Sequence, residues 1–353
     1  MTDLTVHTKR PYRILMEKGC LGKTGEYAAR LFPERARTVL VTDSHVGPLY
    51  AEKAAESLRE AGFQVSGFQF PAGEKSKTLS TVEEIYGAFA KAGLTRGDFA
   101  VALGGGVTGD TAGFAAATWM RGIPFLQIPT SLLAQIDSSV GGKTGVDLPQ
   151  GKNLIGSFHQ PALVLIDPLT LKTLPDQFFT DGMGEAIKYG CIQSRDLFGR
   201  IQDTDVRKNP EPMIMKCIEI KRRAVENDEF DRGGRMLLNF GHTFGHALET
   251  LHGFRGLTHG AAVGIGMVMM ARFGEALGAT RPGTSGKIAA ALQKYGLPLE
   301  DSLELGRILR ATASDKKRRG NQITLVLLRQ IGEGFLDTMP YEKFRTEASE
   351  ALR

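Results

Sequence analysis

Cysteine is scarce in this 353-residue chain: Cys20, Cys191 and Cys217 are its three, and no two form a CxxC pair. That argues against a disulfide-stapled fold and a cysteine-built metal centre, and predicts buried thiols in a reducing compartment. Long apolar runs are missing too. The longest, Ala261–Ala271, is glycine-rich and too short to cross a bilayer. The opening MTDLTVHTKRPYR lacks the apolar stretch of a secretory signal, so the expectation is a cytoplasmic protein with no membrane partner. Charge of one sign is not in excess. The 44 Lys and Arg against 39 Asp and Glu leave +5, which suits an acidic small molecule and is too little to argue for nucleic acid.

What is present is a core-forming composition, 42% hydrophobic, at a length that predicts about two domains. Short β-branched runs at Thr38–Thr42, Phe63–Phe70, Phe99–Leu103, Pro124–Ile128 and Ala162–Ile166 alternate with helical patterns. The clearest helix is Thr81–Ala92, with Ser80 and Glu83 as a capping box and Gly93 as its stop. This alternation predicts an α/β domain with a parallel sheet. After Asp167-Pro168 the strand signals give way to helices at Asp176–Tyr189, Glu211–Asn227, Arg235–Leu251, Gly260–Leu277, Thr284–Tyr295 and Leu303–Thr312. A short β pair, Gln322–Leu328 with Gly334–Thr338, follows them. The domain boundary is expected near 168–175.

Chemistry concentrates in four places. Phe99–Leu103 runs into Gly104, Gly106 and Gly109, spaced G-x-G-x-x-G before a small-residue helix, a geometry that offers backbone N–H groups to a pyrophosphate. Asp43, after the first of these strand runs, is a candidate ribose ligand. Gly142-Lys143-Thr144 imitates the end of a P-loop, but Asp137 stands where that loop needs glycine, so a Walker-type site is rejected. Residues 121–159 read as glycine-rich loops carrying Asp137, Lys143, Lys152 and Asn153, and their lysines suit anion capture. The run Lys316–Arg319 reads as a solvated loop with room for one substrate lysine. Lys221 falls in the middle of the apolar arc of Glu211–Asn227, a costly place for a lysine unless it meets an anion.

The fourth place is Arg235–His259. Read as one helix, it puts Arg235, Asn239, His242, His246 and Glu249 on a single narrow polar stripe of an otherwise apolar surface. His242, His246, His252 and His259 are four of the chain's seven histidines. Spacing alone nominates His242 and His246 as a metal pair at i and i+4. His259 and Glu185 are further candidates for a His/His/Glu set, and His252 reads as a loop residue.

Together these segments resemble the 3-dehydroquinate synthase family, over about residues 38–330, through PAGEKSK, LGGGVTGD, AATWMRGIPF, IPTSLLAQIDSSVGGKTGVDLPQGKNLIGSFHQP, GMGEAIKYG, LLNFGHTFGHALE and THGAAVGIGM in that order. The resemblance implies an NAD-binding α/β domain, residues 1–170, followed by an all-helical metal- and substrate-binding domain, residues 171–353. It implies zinc or cobalt on Glu185, His242 and His259, with His246 turned to substrate. It implies NAD contacts from Asp43, Glu74, Lys77, Gly105, Gly106, Val107, Thr108, Gly109, Asp110, Thr130, Ser131, Asp137, Lys143, Lys152, Thr170, Leu171, Lys172 and Thr173. Ser131 replaces a threonine found in many members. Catalytic and substrate contacts are implied for Arg121, Asp137, Lys143, Lys152, Asn153, Lys188, Lys221, Arg235, Asn239, His246 and one of Lys316 and Lys317.

The implied reaction converts 3-deoxy-D-arabino-heptulosonate 7-phosphate to 3-dehydroquinate and phosphate, in a homodimer. It proceeds by transient oxidation at NAD, phosphate elimination, re-reduction, ring opening and aldol closure. A metal- and NAD-dependent polyol dehydrogenase is an alternative, but it needs no Lys143, Lys152, Lys188, Lys221 and Arg235. An aminodehydroquinate synthase or another sugar-phosphate cyclase, making a valiolone or an inosose, is the other alternative.

Overall fold

The computed structural model describes residues 2–253, 256–314 and 318–353, and the chain divides into two compact units. One comprises Met1–Pro175 with Lys221–Phe230, the other Asp176–Ile220 with Asp231–Arg353. The division therefore cuts through a helix, Glu211–Asn227, whose last turns belong to the first unit.

Among the described residues, the first unit is built on nine strands: β1 (Thr2–Val6), β2 (Tyr12–Met16), β3 (Arg37–Asp43), β4 (Gln64–Phe70), β5 (Phe99–Gly104), β6 (Phe125–Pro129), β7 (Lys143–Leu148), β8 (Gly151–Phe158) and β9 (Leu163–Ile166). Its helices are α1 (Thr24–Ala29), α2 (Gly47–Glu60), α3 (Leu79–Ala92) and α4 (Gly106–Thr118). Seven strands form one sheet in the order β1-β2-β9-β6-β5-β3-β4, parallel except for β1, which runs antiparallel to β2. Alternate residues of its central strands feed two apolar layers. Leu40, Val101, Leu103, Leu126 and Ile128 pack with Tyr27, Ala54 and Leu58. Val39, Val41, Ala100, Ala102 and Phe125 pack with Val82, Ile85, Phe89 and Ala115. Burial on both faces explains why the sequence shows continuous β-branched runs instead of alternation.

Three local expectations are corrected here. The α3 cap is Thr78, extended at φ −131°, whose Oγ1 accepts from Thr81 N at 3.2 Å. Ser80 already lies inside the helix, so no box forms with Glu83, while Gly93 ends the helix at φ 67° as expected. The edge pair β1–β2 was missed because β1 is short, polar and mostly half-exposed. Much of the stretch expected as glycine loops is the β7–β8 hairpin. There Gly145 faces Gly156, and a Cβ on either would sit 2.4 or 2.1 Å from the opposite carbonyl oxygen. Glycines that permit such an approach also erase the strand signal.

The second unit contains α5 (Asp176–Gln193), α6 (Arg195–Asp203), the first part of α7 (Glu211–Asn227), α8 (His242–Leu251), α9 (His259–Ala276), α10 (Thr284–Lys294), α11 (Leu305–Ala311) and α12 (Tyr341–Ala351). It also holds a sheet of β10 (Arg318–Arg319), β11 (Gln322–Gln330) and β12 (Glu333–Pro340). Helix α9 lies against α5 and α8 through glycines. A Cβ on Gly260 would be 1.9 Å from Asp181 O, and one on Gly266 would be 2.0 Å from Gly241 O.

The continuous helix expected over Arg235–Leu251 is not formed. Gly234–Asn239 is a 3-10 turn, Phe240 is extended at ψ 130°, and Gly241 is left-handed at φ 80° before α8 starts at His242. Arg235 and Asn239 therefore do not share a helical face with His242, His246 and Glu249. The break is where α9 comes closest, since a Cβ on Gly241 would meet Met267 Cγ at 2.6 Å and Val263 O at 2.7 Å.

Candidate functional site

In the second unit, three side chains from three helices converge. Ligand atoms of Glu185 on α5, His242 on α8 and His259 on α9 all lie within 4.8 Å of one another. Packing explains the meeting: Gly184 touches Gly260, where a Cβ would be 2.6 Å from the carbonyl oxygen, which sets Glu185 beside the start of α9. The Glu185 carboxylate is 1% exposed. His242 Nε2 is 3.6 Å and His259 Nε2 3.4 Å from Glu185 Oε1. These exceed the length of a good charged hydrogen bond. They match the edge of a coordination tetrahedron with bonds of about 2.0–2.1 Å, roughly 3.3 Å.

Both imidazoles are oriented from behind. Phe240 O lies 3.2 Å from His242 Nδ1, and Glu249 Oε1 lies 3.3 Å from His259 Nδ1. Each Nε2 is thereby presented to Glu185, the tautomer arrangement of a metal-binding histidine. The donor set fits a divalent ion of the zinc or cobalt kind. Burial works against a charged His259, but the neighbouring Glu185 and Glu249 carboxylates outweigh it, raising the imidazole to about 10. A cation entering here displaces that proton.

Around this group, Lys188 is buried and ion-pairs with Glu185 one turn away. Arg235 is 2% exposed, Asn239 half-buried, and His246 exposed on α8, its ring centroid 5.1 Å from that of His242. His252 is paired to Asp301 at 2.8 Å.

In the first unit, β5 passes through Gly105 into α4, whose first-turn N–H groups have no partner within the helix. The glycines divide into two kinds. Gly104 and Gly109 serve packing, since a Cβ would meet Thr108 Oγ1 at 2.4 Å or Gln127 Nε2 at 2.2 Å. Gly105 and Gly106 sit where an added Cβ would face the Ser131 and Ser138 hydroxyls, at 3.5 and 3.2 Å. A cradle of that kind fits a pyrophosphate. Asp43, at the end of β3, accepts from His45 N, Val46 N and Thr108 Oγ1 at 2.9, 3.0 and 3.1 Å. A carboxylate has about four acceptor positions, so about one is left for a ribose hydroxyl.

Thr130 is buried, its N–H donating to Gly104 O at 2.9 Å, and Ser131 Oγ accepts from Ala134 N at 3.3 Å. Leu171 and Lys172 lie on the 3-10 turn Pro168–Lys172. Thr170 Oγ1 is occupied by Gln135 and Asp167 O, and Thr173 Oγ1 lies 2.5 Å from Tyr50 OH.

Three basic side chains of this unit, Lys77, Lys152 and Lys221, are paired with carboxylates. Lys77 is 5% exposed, with Nζ 2.6 Å from both Asp110 Oδ2 and Asn153 Oδ1. Burial disfavours its charge, but Asp110 outweighs that and raises the ammonium above its ordinary value. Lys152 Nζ is 3.3 Å from Glu74 Oε1. The anion that Lys221 requires is at hand: its Nζ donates to Asp137 Oδ1 at 2.7 Å. Asp137 lies on a π-helical turn, Ala134–Ser138. Lys143 and Arg121 are exposed, Arg121 with its backbone left-handed at φ 69°. Lys143 opens a strand and not a helix, which removes the last ground for a P-loop. Lys316 and Lys317 lie outside the described residues.

A family model described as 3-dehydroquinate synthase N-terminal matches residues 67–181, and one described as 3-dehydroquinate synthase C-terminal matches residues 182–318. The chain belongs to the 3-dehydroquinate synthase family. It is 48% identical to the 3-dehydroquinate synthase of Clostridium acetobutylicum over 331 residues, 92% of this chain and 93% of that one. Among solved structures it resembles 2-deoxy-scyllo-inosose synthase complexed with carbaglucose-6-phosphate, NAD+ and Co2+, with TM-score 0.86 and 26% identity over 99% of this chain and 100% of that one. It also resembles the 2-epi-5-epi-valiolone synthase ValA of Streptomyces hygroscopicus, solved with NAD+ and Zn2+, at TM-score 0.87 and 26% identity over 97% of this chain and 95% of that one.

Within this 3-dehydroquinate synthase fold, sequence reasoning passed over two residues that touch the candidate groups. Glu249, on the polar stripe of the sequence, orients His259, a task that helical spacing does not signal. Asp147 was not singled out, although its backbone and carboxylate both engage the Lys77 group. The signal for it was available: a carboxylate six residues before an asparagine at a glycine turn.

Proposed function

We propose that this chain converts 3-deoxy-D-arabino-heptulosonate 7-phosphate to 3-dehydroquinate and inorganic phosphate, a phosphorus–oxygen lyase reaction in which NAD is returned unchanged. The observation that carries this reading is the convergence of Glu185, His242 and His259 at coordination spacing in a chain of this family. Bound at Glu185, His242 and His259, a divalent zinc or cobalt ion supplies Lewis acidity at the hydroxyl to be oxidised, and NAD supplies a reversible hydride acceptor.

The protein's own share is positioning. The backbone at Gly105 and Gly106 takes the cofactor's pyrophosphate, with Val107, Thr108, Gly109 and Asp110 forming the start of its helix. Asp43, Glu74, Lys77, Thr130, Ser131 and residues 170–173 serve the rest of it, together with Asp137, Lys143 and Lys152. Arg121, Lys143, Lys152, Lys188, Lys221 and Arg235 supply the positive charge that a carboxylate and a phosphate need. Asn153 and Asn239 offer amide contacts to hydroxyls. His246, exposed beside the metal ligands, moves a proton at the substrate. Asp137 holds the Lys221 ammonium until the substrate arrives.

No helix among the described residues is long and apolar enough to cross a membrane. A homodimer in the cytoplasm completes the proposal, and the three buried thiols suit a reducing compartment. The test is product analysis. Equal amounts of phosphate and dehydroquinate, with no net NADH, are expected; stoichiometric NADH without phosphate overturns the reading.

A further inference from the structure

The β7–β8 hairpin turns back on itself at residues 148–151, and two residues beyond the turn Asn153 is left-handed at φ 54°. Asparagine tolerates that region better than most residues, yet it still costs energy unless something holds it. What holds it is Asp147, whose Oδ1 accepts from Asn153 N at 2.7 Å. The same residue reaches the other way through its backbone, donating its N–H to Lys77 O at 2.9 Å. Lys77 closes the circuit by donating from Nζ to Asn153 Oδ1 at 2.6 Å. Three hydrogen bonds thus form a ring through Asp147, Lys77 and Asn153. A fourth, Lys77 Nζ to Asp110 Oδ2 at 2.6 Å, ties the ring to the first turns of α4.

The ring has a consequence for the neighbours. Lys77 is buried, so its ammonium must be matched by acceptors on more than one side. Asp110 provides one and Asn153 another. The side chain of Asn153 points correctly only while its backbone stays left-handed, and that conformation depends on Asp147. The strand pairing does not supply this support, because its register slips between Val146 and Leu148, and Asp147 sits at the irregularity. Lys152, adjacent to Asn153, reaches Glu74 at 3.3 Å, so the same turn sets a second contact of the group.

We infer that Asp147 is a positioning residue for the cofactor. Through the Asn153 N–H it fixes the turn that sets Lys77 against the helix receiving the NAD pyrophosphate and Lys152 against Glu74. The inference rests on the proposed use of NAD by this chain. Asp147 itself touches no cofactor in this scheme. Its carboxylate acts as a hydrogen-bond acceptor, and its charge is not what matters. Burial, with Glu74 nearby, pushes the Asp147 carboxyl above its usual range, while the Asn153 N–H and the Lys77 charge pull the other way. A residue that needs only an acceptor oxygen tolerates that environment, and asparagine supplies the same oxygen at the same place.

The experiment measures binary NAD affinity of the full chain by calorimetry, with folding checked by thermal melting. Asp147→Ala is expected to raise the NAD Kd about tenfold, the loss equivalent to one hydrogen-bonded contact. Asp147→Asn is expected to stay within about threefold of the parent. If Asp147→Ala does not fold, Asp147→Gln takes its place, since its acceptor lies one methylene too far. In turnover, the weakened variant should show a raised KM for NAD, and Asp147→Asn should bring that KM back to the parent value. An Asp147→Ala Kd within about twofold of the parent overturns the inference. So does an Asp147→Asn variant as weak as Asp147→Ala, or an Asp147→Ala variant whose KM for NAD is that of the parent. If the parent chain binds no NAD, the proposed function fails first, and that outcome is distinct from all of these.

Discussion

Replacing Gly241 with alanine tests how the fold delivers the metal ligands. Gly241 sits immediately before His242, at φ 80°, where an L-residue costs about 1–2 kcal/mol. The added Cβ would also lie 2.6 Å from Met267 Cγ, 2.7 Å from Val263 O and 2.9 Å from Met267 N. The methionine side chain can move, but the two backbone atoms belong to α9 and cannot move without shifting that helix. Overpacking of this kind costs about 1–3 kcal/mol. The sum, about 2–5 kcal/mol, corresponds to a Tm lowered by roughly 4–20 °C for a unit of this size. Because α8 starts one residue later and α9 begins with His259, the displacement should also weaken zinc binding. A control is Gly199→Ala on α6, where a Cβ meets nothing closer than Asp203 Oδ2 at 3.8 Å. Helix propensity predicts that this variant gains up to about 1 kcal/mol. The assays are thermal melting and zinc titration against a chromophoric chelator. A Gly241→Ala variant that melts and binds zinc like the parent would refute the packing argument.

Other perturbations follow from single residues. Asp98 accepts from Arg37 N, Thr95 N and Thr95 Oγ1; burial opposes these bonds, yet together they hold its carboxyl below the usual value. Its stabilisation is complete above the unfolded value of about 3.9 and is lost as pH falls through the lower folded value. Asp98→Asn should therefore lower stability at pH 7 and flatten the acid limb of a stability–pH curve measured by denaturant unfolding. Lys294 Nζ donates to Ile201 O, Gln202 O and Thr204 O at 2.9, 2.8 and 2.6 Å, closing the end of α6. Lys294→Met should cost about 1 kcal/mol in the same assay, with little effect on turnover. His246→Gln should leave zinc affinity within about threefold while lowering kcat by about 10²-fold or more, read from phosphate release and metal titration side by side.

How much of this was readable from residues alone depends on what each residue depends on. Strands β3, β5, β6 and β9 were, because burial on both faces writes continuous apolar runs. The β7–β8 hairpin was not, because Gly145 and Gly156 are there to admit a neighbouring backbone and carry no side-chain pattern. Helix α12 was missed although Tyr341, Phe344 and Ala348 follow helical spacing, since a short helix offers few repeats of the period. Spacing within one helix nominated His242 with His246. The group that converges in space takes one ligand each from α5, α8 and α9, a set that no local period encodes. The same reading overextended α8 through Phe240 and Gly241, because Gly241 answers to α9 and not to its own sequence neighbours. Lys221 was readable as a cation needing an anion, but its partner Asp137 lies on a π-helical turn far away in sequence.

The central claim is that Glu185, His242 and His259 hold the ion on which phosphate loss depends, with NAD as a returning carrier. The most direct measurement is phosphate release from 3-deoxy-D-arabino-heptulosonate 7-phosphate by chain stripped with a chelator, then supplied with zinc or cobalt and with NAD, separately and together. Release is expected only when both are present, with no accumulation of NADH and with much more metal required by Glu185→Gln. Phosphate release unaffected by stripping and by NAD would contradict it.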